Sequence, residues 1–477
     1  MIRMIQFKQT LIFLTTLALF YCGVLPVAQA VVPPPDGGYA NFTTAEGTNA
    51  LLSLTSGAAN TGVGWSSLLS VTTGSFNTGV GAGTLALNSA DSNTATGAAA
   101  LLLNTIGTEN TANGTATLLN NSSGNFNSAF GAFALNNNNA GVNNTAIGFQ
   151  ALFSNTEDVE NTACGAQALF SNIKGADNTA IGFQALNSNT TGDFNTANGA
   201  FALSSNTTGG GNTATGSDAL FSNTEGSGNT ANGQGSLNSN TIGLNNTANG
   251  AAALGNNATG AHNTATGVSA LALNTSGNNN TAVGELAGIN VTTADNVICI
   301  GAGVGGENVS NSCYIGQIFG ATSSGGTAVF INSSGQLGTA TSSRRFKDEI
   351  KPMNKASEAL FSLKPVTFRY KREIEPAGKS QLGLVAEDVE KVNPNLVVHD
   401  KDGKPYSVRY DQVNAMLLNE FLKEHKAFLD EQRTVEKLEA IVSRQQEQIE
   451  ALAVGLEKVT NQIELSRPAP QTVVNNP

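Results

Sequence analysis

Two side-chain types in the C-terminal third could do covalent chemistry together. Ser342 and Ser343 stand just before Arg344, Arg345 and Lys347 in the stretch GQLGTATSSRRFKDEIKP, Gly335 to Pro352. A serine hydroxyl is a weak nucleophile and attacks a carbonyl only when a base in reach takes its proton. Lysine serves as that base only when neutral, so a side chain that ordinarily titrates near ~10.4 must be held lower by burial or by a neighbouring cation. Arg344 and Arg345 are at hand as cations, and backbone N–H groups would have to hold the oxyanion. Spacing leaves the choice of serine open. Ser342 lies five residues before Lys347, on a different face of a straight helix or strand, so that pair requires a bend; Ser343, four before, would share a helical face with Lys347.

This stretch divides the chain of 477 residues by composition. From Val31 to Thr341 there is one basic residue, Lys174, against 14 acidic ones, whereas from Ser342 onward 21 basic and 21 acidic residues cancel. No basic groove is offered to a phosphate backbone, which argues against nucleic acid as a partner. Before the junction the chain repeats. Asparagines opening the motif N-T-A-x-G-x-x-A-L fall at Asn60, Asn77, Asn93, Asn110 and onward to Asn280 and Asn296, with a step of 17 residues and 16 at two places. Such a period implies one supersecondary unit stacked many times. The expectation is a mainly β fold, a β-roll or β-solenoid over residues 60–301, with two short strands and two turns per coil. Alanine and leucine would fill a narrow core, glycine would permit the corners and asparagine would ladder from coil to coil. At ~4.8 Å per coil the roll is roughly 70 Å long.

The ends are read as follows. Arg3 and Lys8, the apolar run Leu11 to Leu25 and Ala28-Gln29-Ala30 form a secretory signal over 1–30, shorter than the ~20 apolar residues of a membrane span. The mature chain is therefore expected outside the cell or at its surface, without a transmembrane segment. A Pro-containing leader occupies 31–59; from Asn296 the repeat loosens into short strands at Val297–Ile300, Cys313–Ile315 and Ala328–Ile331, and a β-rich connector covers 302–341. After the junction, an α+β region over 342–420 precedes a helix from Asp411 to about Leu465. Its a positions Val435, Val442, Ile449, Leu456 and Ile463 and its d positions Leu438, Gln445, Leu452 and Val459 predict a coiled coil over 421–465. The tail, 466–477, carries three prolines and is expected to be disordered.

Other chemistry finds little support. Cys164, Cys299 and Cys313 are too few for a disulfide framework, and no ligand spacing joins them to His262, His399 or His425, so neither a metal nor a cofactor is expected. Glycan cleavage needs paired carboxylates at a set distance, but the acidic residues stand mostly alone in turns, apart from Glu157, Asp158 and Glu160. Threonine recurs once per coil, not as the paired array that an ice-binding face uses.

Two resemblances follow. The repeat resembles the head domains of trimeric bacterial surface adhesins, built of N-T/S-A-x-G coils, though its 17-residue step departs from theirs and no segment patterned as a membrane barrel follows. The strings SSRRFKDEIKP, FSLKPVTFRY, GLVAEDVEKVNPNLV and YSVRYDQVNAMLL resemble the intramolecular chaperone auto-processing domain found at the end of endosialidase tail spikes and other phage fibres. That resemblance implies a homotrimer whose terminal domain aids folding and then cuts itself off. It makes Ser342 the nucleophile, Lys347 the base and Arg345 the family arginine, with cleavage between Thr341 and Ser342. Ser343 stands where the family usually has aspartate. Two readings remain: a structural or adhesive fibre whose repeat meets a surface glycan or protein, and a polysaccharide-binding or depolymerising spike with the same terminal domain.

Overall fold

The computed structural model describes residues 40–467, so the expected signal segment and nearly all of the expected tail lie outside the described residues. Along the chain the molecule divides into two units, at Thr322 and Ser323.

The first unit is a parallel β-solenoid. Each coil contributes one three-residue strand, from β1 (Thr44–Glu46) to β17 (Cys313–Ile315), and all 17 strands join in a single sheet. Neighbours pair in exact coil register, as Thr179 with Thr196 and Ala180 with Ala197. The middle residue of each strand, alanine in most coils, points inward and meets the Ala-Leu pair of the return side; Ala180, Ala185 and Leu186 are all fully buried.

The return side is not the second strand expected from the sequence. Its residues alternate between left- and right-handed backbone, with Gln184 at φ 54° and Leu186 at φ 52°, and every coil from Leu51 to Leu271 holds its core leucine this way. A left-handed leucine costs about 1–2 kcal/mol, while burying its side chain returns about 1.5–3 kcal/mol. Burial wins, so the backbone adopts a conformation that leucine alone would avoid. The glycine after each strand has a different reason to be invariant. At Gly182, φ is +133° and an added Cβ would lie 2.5 Å from the Gly199 carbonyl oxygen of the next coil.

Asparagine forms two internal ladders. In the first, Asn195 donates its N–H and Nδ2 to Asn178 Oδ1 at 2.9 and 3.1 Å and its Nδ2 to the Gly209 carbonyl at 2.9 Å. In the second, Asn206 donates Nδ2 to Asn189 Oδ1 at 2.8 Å and to the same Gly209 carbonyl at 2.9 Å. These amides are buried without penalty because each finds its partners one coil away.

The ladder extends the expected range at both ends, to β1 and to β17. It also corrects one alignment. Val297, not Asn296, occupies the ladder position after Asn280: its N–H donates to Asn280 Oδ1 at 2.8 Å, and Ile298 pairs with Thr281. The last full step is therefore 17 residues.

The second unit is small and open. Its strands are the hairpin β18 (Val329–Ile331) with β19 (Leu337–Thr339), and the antiparallel pairs Val366–Phe368 with Gln381–Gly383 and Val397–His399 with Pro405–Val408. A 3-10 helix at Asn354–Ser362 and a short α-helix at Ala386–Val392 pack with the start of a 56-residue helix, Tyr410–Leu465. The buried apolar core is Val389, Leu396, Val397, Val408 and Met416. The long helix is rich in Leu, Glu, Lys, Gln and Ala, carries Asp411 in its first turn and stops before Pro468.

Candidate active site

Three local features place the residues of the junction. The β18–β19 hairpin is closed by Asn332, whose Oδ1 accepts from the N–H groups of Ser334 and Gln336. Thr341 and Ser342 follow β19 outside any helix or strand. Then Arg344–Phe346 makes a single 3-10 turn, in which Phe346 N–H donates to the Ser343 carbonyl at 3.0 Å and Lys347 N–H to the Arg344 carbonyl at 3.1 Å.

This turn supplies the bend that the five-residue offset requires. It carries Lys347 back until Nζ lies 3.1 Å from Ser342 Oγ. Ser343 contributes only its carbonyl; its side chain makes no capping hydrogen bond. The Arg345 guanidinium sits 4.6 Å from the centre of the Phe346 ring, and among the described residues no hydrogen bond joins Arg344 or Arg345 to the Ser342–Lys347 pair. Nothing within one chain excludes water here, because residues 342–351 are all exposed.

Residues 342–398 match the family model described as chaperone of endosialidase. The match begins at Ser342 and takes in Lys347, the 3-10 helix, the middle strand pair and the short helix, ending within the strand Val397–His399. No curated protein matches the chain, and no solved structure does. Among the described residues no helix is long and apolar enough to cross a membrane.

The matched segment is tied to the long helix by a polar lock that the sequence did not reveal. Ser357 is fully buried and bonds the Glu420 carboxylate; Asn419 Nδ2 donates to Ser357 Oγ at 2.6 Å, and Lys423 Nζ lies 2.7 Å from Glu420 Oε1. The Lys423 hydrogen bond, and after it that of Ser357, holds the Glu420 carboxyl below the usual glutamate range. More than sixty residues separate the partners in sequence, so periodicity had no means of pairing them. The one hint was a serine inside the apolar spacing of Ala356, Ala359 and Leu360. Tyr410 reinforces the same junction by accepting the Leu384 N–H on its hydroxyl at 3.0 Å.

The acidic run in the repeat is placed as well. Glu157 and Glu160 are exposed in a turn, while Asp158 takes a position that other coils give to glycine. Its Oδ2 is buried without a partner, and burial, followed by the charge of Asp193, pushes its carboxyl up.

Proposed function

We propose that the chain is a secreted or cell-surface fibre of three copies, whose chaperone segment guides assembly and then separates by cutting the Thr341–Ser342 bond. The observation that carries this reading is the 3.1 Å approach of Lys347 Nζ to Ser342 Oγ, at the first residue of the matched segment. Ser342 Oγ adds to the Thr341 carbonyl carbon while Lys347 takes the hydroxyl proton. The peptide C–N bond then breaks, the proton passes to nitrogen to give the free amine of Ser342, and the Thr341 acyl group remains as an ester on Oγ. Water hydrolyses the ester and leaves a carboxylate at Thr341.

A base role for lysine requires water to be excluded, and the exposed turn of one chain does not do that. Additional copies would. The long helix supports such an assembly: Val435, Leu438, Ile449, Leu452, Leu456 and Ile463 lie along it, each about half or more exposed. That seam has the spacing of a coiled coil, spread over a helix ~84 Å long. A chaperone also answers a physical need. Coils with nearly identical Ala-Leu cores can pair between chains out of step at little cost, and cleavage after folding traps the assembled form. The repeat then presents its surface to a glycan or protein.

The test is a denaturing gel. Wild type gives two fragments, Ser342→Ala and Lys347→Ala give the full-length chain, and Ser343→Ala still cuts. Intact wild type after folding would overturn self-cleavage.

A further inference from the structure

The coils of the solenoid segregate their surface chemistry. Among the acidic residues between Asn60 and Asp295, all but Asp218 and Glu285 fall in the turn that precedes each ladder asparagine. The outward positions around the core Ala-Leu pair carry exposed apolar side chains among amides and serines, with Asp218 and Glu285 as their carboxylates. In early coils the apolar ones are leucines, such as Leu87 and Leu103, 45% and 38% exposed; in middle coils phenylalanines; and near Leu273 aliphatic again. The phenylalanines form three runs, broken between Phe149 and Phe153 and between Phe170 and Phe183. Rings touch from coil to coil at Phe133–Phe149, Phe153–Phe170, Phe183–Phe201 and Phe201–Phe221, with centroids 5.2–6.4 Å apart. Between residues 229 and 262 the stripe thins to small and amide side chains such as Gln234, Asn238 and Ala251. On the turn, by contrast, Phe76, Phe126 and Phe194 stand in separate coils.

We infer that this stripe is the face on which copies of the chain pack side by side, and that its order of leucine, phenylalanine and small-residue bands sets their register. The inference rests on the trimeric reading above and says which surface makes the trimer. Three observations select a second copy as occupant. The stripe recurs along the solenoid on both sides of its thin segment, so whatever covers it must be long and straight. It spans about 70 Å by about 10 Å, so two copies would bury about 1,400 Å2 in total, within the size of stable interfaces. Finally, acidic chains repel one another less through a side that carries only Asp218 and Glu285 than through the turns that carry the other carboxylates. The bands resolve the problem that the core leaves open. A slip of one coil costs nothing inside, where every coil offers Ala and Leu, but it moves phenylalanine off phenylalanine at both ends of its band.

The experiment uses the full-length chain. Light scattering gives the number of copies, and hydroxyl-radical footprinting reads each ring. Phe149 and Phe183 should be protected several-fold relative to Phe194. The double variant Phe149→Lys/Phe183→Lys should lose copies or melt earlier, while Phe194→Lys behaves as wild type; all these side chains are 47–68% exposed within one chain, so the coil itself tolerates the change. A trimer in which Phe149 and Phe183 are labelled like Phe194 overturns the face and leaves the trimeric reading standing. A monomeric wild type overturns both.

Discussion

The two units solve the problem of burial in opposite ways. In the solenoid each coil is covered by the coils on either side, so Ala180, Leu186 and Asn189 are fully buried within one chain. In the C-terminal unit the buried apolar set is five residues, and a helix of 56 residues leaves its apolar seam open. Stacking along one chain lets a repeat complete its own core, whereas a lone helix of that length can complete its core only with other chains. Burial therefore separates a core closed within one chain from a helix seam left open.

The largest expected effect lies where the solenoid's self-sufficiency is tightest. Gly182→Val places a Cβ against the Gly199 backbone at 2.5 Å and holds valine at φ +133°. The two penalties together cost about 4 kcal/mol or more. Limited proteolysis should find new cuts in the coils around residue 182 and none in the C-terminal unit. Spread of the damage to the matched segment would mean that the two units do not fold independently.

The same contrast explains how much the sequence revealed. Period, ladder asparagines and inward alanine and leucine were legible because every coil repeats them. The C-terminal unit was legible in outline, as an α+β region joined to a helix expected from Asp411 and found from Tyr410 to Leu465. The return side of the coil was not. Leucine has no preference for φ near 52°, so no local signal marks Leu186 as left-handed; closure of a 17-residue ring imposes it. Identity misled at Asn296, because the ladder reads position in the coil and seats Val297 there. At the junction the residue types pointed to the chemistry and the resemblance chose the serine, but the bend came from a 3-10 turn of three residues, too short to leave a period.

Acid should move the two units in opposite directions. Glu420 is held below its ordinary range by Lys423 and Ser357. Its contribution is complete above the unfolded value of ~4.3 and is lost as pH falls through the lower folded value. Asp158 is raised by burial, so its coil gains stability as pH falls through that raised value. Calorimetry from pH 7 to pH 3 should show the C-terminal transition falling while the solenoid transition holds or rises slightly. Glu420→Gln should flatten the first. Parallel decline of both would mean that Asp158 finds a partner for its charge.

The smallest effect tests the polarity of the second asparagine ladder. Each side chain donates Nδ2 to the Oδ1 of the coil before it, as Asn274 does to Asn257 at 2.7 Å, so the last member has no donor to receive. Val291 follows it, and Asn274 Oδ1 is buried without a partner. At the other end Val71 precedes Asn88 and is equally buried. Asparagine at either site removes a buried valine, a loss of about 1.5 kcal/mol or more. At 291 the new Nδ2 reaches both the stranded Asn274 oxygen and the Ala294 carbonyl, which already receives Asn280 Nδ2 at 2.8 Å. At 71 it rescues nothing. Val291→Asn should therefore be better tolerated than Val71→Asn by about 1–3 kcal/mol, the cost of an unmet buried acceptor. Hydrogen exchange in the coils next to each site measures the difference. Equal losses at the two ends would mean that the ladder has no direction, and that water already serves the oxygen of Asn274.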